Sequence, residues 1–170
     1  QHEEAVKQMQ HTLELWNQLL MEMPDNRESL VQKMRTQEAY ARILCLCPDS
    51  EFRNSEEAVR MATEAVSFDE SSSDYRATLA LAQFYDGDIA DALHSIDLAI
   101  DLRDESEAPR EEADQLIRAM ILHKQSSTSI DEITEELEKL AAESDEQVDR
   151  LSAEWLSRLR EEWSSVLDSK

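Results

Sequence analysis

Glycine is nearly absent from this chain: one residue in 170. Sheet proteins spend glycine on turns and bulges, and phosphate-cradling loops need several together. Such loops are therefore excluded, and most β and α/β folds are disfavoured. Cysteine is limited to Cys45 and Cys47, which are too close in sequence to staple a fold. A disulfide scaffold is excluded, and a reducing, cytoplasmic setting is expected. No run of about 18 apolar residues is present, so no membrane span is expected, and no signal-peptide core is visible. The start at Gln1 without Met reads as an excised fragment or a processed product. Basic residues are also few, 17 against 39 acidic ones, for a net charge of -22. A patch basic enough for nucleic acid or anionic lipid is not expected.

What remains is an all-α chain. Apolar residues make up 41%, enough to build a core. They recur at helical spacing in about eight segments joined by short connections. The first stripe is Val6, Met9, Leu13, Trp16, Leu20 and Met23, ended by Pro24. Asp25 and Glu28 have the spacing of a capping box that opens a second helix running to Leu46, before Pro48. Asn54 and Glu57 open a third helix, which reaches Phe68. Two shorter helices flank the glycine, Gly87, with Asp88 placed to cap the second of them. A helix over 107–124 carries Pro109 in its first turn. Residues 125–129 are a polar linker. Ser129 with Glu132, and Ser144 with Gln147, open a C-terminal helical pair over 130–170.

A period is embedded in this pattern. Ala58 and Ala92, Val59 and Leu93, Ala62 and Ile96, Ala65 and Ala99, Val66 and Ile100, and Phe68 and Leu102 all stand 34 residues apart. Paired helices at a 34-residue period are the mark of tetratricopeptide repeats. The stretch from Tyr75 to Leu102 resembles one such repeat closely. Leu79 and Ala80 stand where the family has Leu-Gly, Gly87 and Asp88 match the turn, and Ala92 is the small residue where the two helices cross. Arg76 occupies the usual aromatic position, with Tyr75 one residue earlier. The passage from Leu44 to Arg60 looks like a variant repeat frequent in planctomycete multidomain proteins, some of which carry a Ser/Thr kinase domain upstream. The resemblance implies an α-solenoid of tetratricopeptide-like hairpins over 1–124, with its best repeat at 74–104, followed by the C-terminal pair.

The candidate sites follow from that picture. Cys45-Leu-Cys47 lacks a second ligand pair among the four histidines, so metal or redox chemistry is not expected there. Asp86-Gly-Asp88 has its glycine at the wrong place for a calcium loop. Neighbouring carboxylates such as Glu111-Glu112 do not share a helix face, and no nucleophile elbow or zinc-protease motif is present. A non-catalytic protein–protein interaction domain without cofactors is therefore expected. The repeat's groove positions hold Ala77 and Leu81 where family members that grip acidic peptides carry Lys, Asn or Arg, so that clamp is not expected. Arg42, Arg76 and Gln83 are the nearby polar candidates for partner contact. Trp155 and Trp163, eight residues apart on the last stripe, either dock that helix internally or join it to another chain as an oligomerisation surface. The acid excess reads as solubility or as attraction of a basic partner, and it favours neutral or basic partners over acidic ones. The competing readings are a structural or oligomerisation module, and a regulatory segment of a larger bacterial protein such as a Ser/Thr kinase.

Overall fold

In the computed structural model, residues 2–103 and 108–125 are described, with short helical stretches at 157–158, 160–161 and 164–165. Six long α-helices occur in order: α1 (His2–Glu22), α2 (Arg27–Leu46), α3 (Ser55–Phe68), α4 (Ser73–Asp86), α5 (Ile89–Leu102) and α6 (Ala108–Lys124). A single 3-10 turn, Ser50–Phe52, lies between α2 and α3. No strand occurs among the described residues, so the fold is all-α. Trp155, Trp163 and most of the expected C-terminal pair lie outside the described residues.

Local chemistry sets the helix ends. Asn54 caps α3, its side chain accepting from the Glu57 N–H, as its sequence position suggests. The cap of α2 is a correction to the expected box. Asn26, not Asp25, has the extended backbone and accepts from the Ser29 N–H at 3.1 Å. Glu28 then falls at the second helical position, one short of where a capping box needs it. Asp88 precedes α5 as expected but makes no side-chain capping bond. Gly87 has φ of +96°, and the Asp88 N–H reaches back to the Gln83 carbonyl at 2.9 Å, which satisfies the end of α4.

Each helix packs on the next in sequence; in addition, α2 touches α4, and α4 touches α6. The even-numbered helices thus meet in series, while α3 and α5 each bridge two of them. The 34-residue period is visible here as geometry. α3 and α5 have the same length and start 34 residues apart. Ala58 and Ala92, Ala62 and Ile96, and Ala65 and Ala99 are all fully buried. Val59 and Leu93, and Val66 and Ile100, are half-buried. Phe68 and Leu102 close both helices in partly exposed positions, at 38% and 42%.

The even helices repeat as well, through a mark that is polar rather than apolar. Glu38 on α2, Thr78 on α4 and Asp114 on α6 are buried, and each is followed two and three positions later by buried apolar residues. Those followers are Tyr40 and Ala41, Ala80 and Leu81, and Leu116 and Ile117. Thr78 Oγ1 donates to Glu38 Oε1 at 3.2 Å. Asp114 is held by Arg103, whose Nη2 lies 2.6 Å from Asp114 Oδ2 and whose Nη1 lies 2.7 Å from Asp74 Oδ1 on α4. The Arg103 side chain is 4% exposed and that of Asp114 is 0% exposed. This buried pair ties α6 to the preceding hairpin.

Two substitutions probe these points. A methyl group at Gly87 would meet nothing within 4 Å, so Gly87→Ala reports backbone strain alone. Equilibrium denaturation is expected to show a loss of about 1–2 kcal/mol for Gly87→Ala, with Gly87→Asn losing less. Arg103→Met removes one partner of a buried ion pair and is expected to lose about 3–5 kcal/mol by the same measurement. A loss below that of an ordinary surface ion pair would remove Arg103 from its anchoring role.

Candidate binding cleft

α1 and α3 both pack on α2, and a cleft of about 540 Å³ opens between the three helices. Leu13, Leu44 and Met61 give it an apolar component. Amides and charges surround them: Gln10, Glu14 and Asn17 from α1, Lys33 and Gln37 from α2, and Glu57, Arg60 and Glu64 from α3. Helical spacing explains the supply from each element. Lys33 and Gln37 are four apart on α2, while Glu57, Arg60 and Glu64 succeed one another at three and four on α3.

Glu64 is the hub. Lys33 Nζ donates to its Oε1 at 2.9 Å, Gln37 Nε2 donates to its Oε2 at 2.8 Å, and Arg60 Nη1 lies 3.6 Å away. Arg60 also grips Glu57 with both arms of its fork, at 2.8 and 2.7 Å. Burial raises the Glu64 carboxyl's pKa. The hydrogen bonds from Lys33 and Gln37, with the charges of Lys33 and Arg60, outweigh that and bring it below its ordinary 4.5. The Arg60 hydrogen bonds likewise lower Glu57. On the α1 side, Gln10 Nε2 donates to the Tyr40 hydroxyl at 2.9 Å, and burial raises the Tyr40 pKa. Gln37 is almost fully buried, and its Oε1 accepts no hydrogen bond.

Of the residues anticipated for partner contact, Arg42, Arg76 and Gln83 are described, and none of these three lines this cleft. Arg42 Nη2 pairs with Glu38 Oε1 at 3.0 Å, on its own helix. Arg76 Nε donates to the Glu70 carbonyl at 2.9 Å. Gln83 Oε1 accepts from Ser95 Oγ at 2.8 Å, which joins α4 to α5 beside the glycine turn. Trp155 and Trp163 lie outside the described residues. Ala77 and Leu81 require a correction. The resemblance puts them on a groove surface, whereas both are buried in the core, because α4 is covered by neighbours on several sides.

Cys45 and Cys47 are buried free thiols, and burial pushes Cys45 up to about 12, away from thiolate chemistry. Among the described residues, no group of three His, Cys, Asp or Glu could hold a metal ion, and no helix is long and apolar enough to cross a membrane. Comparison with family models, curated proteins and solved structures finds no match to this chain.

The cleft was not legible as a site in the sequence, because its residues come from three helices and look like ordinary solvated faces. The detectable signal was the Glu57, Arg60, Glu64 run, whose middle charge pairs both ways. A carboxyl with a lowered folded pKa adds stability that is complete above the unfolded value and is lost as pH falls through the folded one. The wild type is therefore expected to lose stability as pH drops below about 4.5. Lys33→Met is expected to flatten that loss. Urea denaturation series between about pH 6 and about pH 3 measure it, and parallel curves for the two proteins would remove the Glu64 cluster as its source.

Proposed function

We propose that this chain is a non-catalytic interaction scaffold of tetratricopeptide-like helical hairpins that binds a peptide or protein segment on its surface. The observation that carries the reading is the double recurrence. α3 and α5 repeat in length and burial at 34 residues, and α2, α4 and α6 repeat a buried polar residue followed by buried apolar ones. Stacked units of this kind bury a continuous core and leave long faces exposed for recognition. The series of contacts α2 to α4 to α6, bridged by α3 and α5, is compatible with such stacking. The cleft over α2 supplies a recessed place lined by donors, acceptors and apolar side chains. That mixture suits peptide recognition. The net charge of -22 favours a neutral or basic segment as partner.

The experiment is selection of short peptides from a random display library against the full chain. Enriched peptides are then mapped by amide chemical-shift changes on the isotope-labelled protein. Enrichment of a shared sequence pattern, with shifts gathered on one face, is the expected result. Failure to enrich any peptide, or shifts scattered without a focus, would overturn the reading.

A further inference from the structure

The cleft's two cations are committed, Lys33 to Glu64 and Arg60 to Glu57 and Glu64. Two of its acceptors are not. Gln37 Oε1 is buried without a hydrogen bond. Its orientation is decided by its neighbour: a carboxylate only accepts, so the NH2 end of the amide must face Glu64. Glu14 has its ion-pair contact with His11 at 3.8 Å, longer than a hydrogen bond. Three carboxylates line the cleft against two cations. An anionic ligand would have to pull Lys33 and Arg60 off their partners and approach a chain of net charge -22. A cationic donor meets neither obstacle.

We infer that the cleft is a binding site for an arginine side chain presented by a basic peptide segment. The guanidinium donates to Gln37 Oε1 and to Glu14, and its methylene stem lies on Leu13, Leu44 and Met61. The guanidinium suits separated acceptors better than a lysine ammonium does, because its donors form a planar fork and it is more weakly hydrated. Gln37 Oε1 lies out of reach of bulk water, so seating the ligand involves a rotamer change at the cleft floor, a common event on binding. The inference rests on the interaction-scaffold reading and specifies what one part of that surface takes.

The test titrates acetyl-arginine amide, acetyl-lysine amide and acetyl-glutamate amide into the isotope-labelled full chain and follows side-chain and backbone amide resonances. Saturable shifts at Gln37 and Glu14 with the arginine compound, smaller ones with lysine and none with glutamate are expected. Glu14→Gln is expected to weaken arginine binding by about tenfold. Gln37→Met is expected to weaken it comparably; because it also removes the Gln37 hydrogen bond to Glu64, its Tm is measured beside the affinity, and weakened binding in a variant that still unfolds cooperatively separates a lost contact from a lost fold. Arg76→Ala, outside the cleft, is expected to leave affinity unchanged. Equal binding of lysine and arginine, or unchanged affinity in both cleft variants, would overturn the inference. If display peptides bind and the arginine compound does not, this inference falls and the scaffold reading stands. If neither binds, both fall.

Discussion

Ala58, Ala62 and Ala65 on α3, Ala77, Ala80 and Ala82 on α4, and Ala92 and Ala99 on α5 are all exposed by 1% or less. Three consecutive helices therefore meet through methyl groups, and the backbones can approach closely where larger side chains would hold them apart. Leu81 and Ile96, both fully buried, fill the space between these contacts. Such a seam has little slack. An added methylene has nowhere to go without moving a helix, and a moved helix disturbs both of its neighbours. α3 and α5, equal in length, both contact α4 and bring buried alanines to matching positions, Ala58 with Ala92 and Ala65 with Ala99.

Within that seam the polar groups act as register marks. Glu38 and Thr78 meet between α2 and α4, and Asp114 meets Arg103 where α6 joins the array. A buried carboxylate tolerates few alternative positions, because any slip leaves it without its donor. Alanine contacts fix how near the helices lie, and these pairs fix how far each is shifted along its neighbour. The two devices are complementary: apolar contact alone is permissive about sliding, whereas a hydrogen bond is not.

Much of this was open to sequence reading, and the division has a physical basis. Apolar periodicity and the glycine turn reported helix number and limits over 1–124 to within a few residues, because those signals are local. The six 34-residue pairs were visible because α3 and α5 repeat in apolar residues. The repeat in α2, α4 and α6 was not visible: Glu38, Thr78 and Asp114 differ in chemistry, and each looks like a surface residue until its partner is known. Asp25 and Asn26 are both good caps, and only the backbone decides between them. Arg76 and Gln83 read from sequence as available for a ligand because nothing local shows that a carbonyl and a serine already hold them. The cleft was hidden for a related reason: Glu14, Gln37 and Glu64 converge only after three helices are assembled.

The first helix has a particular standing in this assembly. Gln10 bonds to Tyr40 and Trp16 to Thr36, so both of these side-chain links from α1 end on α2. α3, α4 and α5, by contrast, are each clasped by helices before and after them. The wall of the cleft that carries Glu14 is held by these two polar links, by Val6 and Leu13 buried in the core, and by contact with the 3-10 turn. The width of the opening therefore depends on how α1 seats Val6 and Leu13 in the core as well as on its polar links to α2.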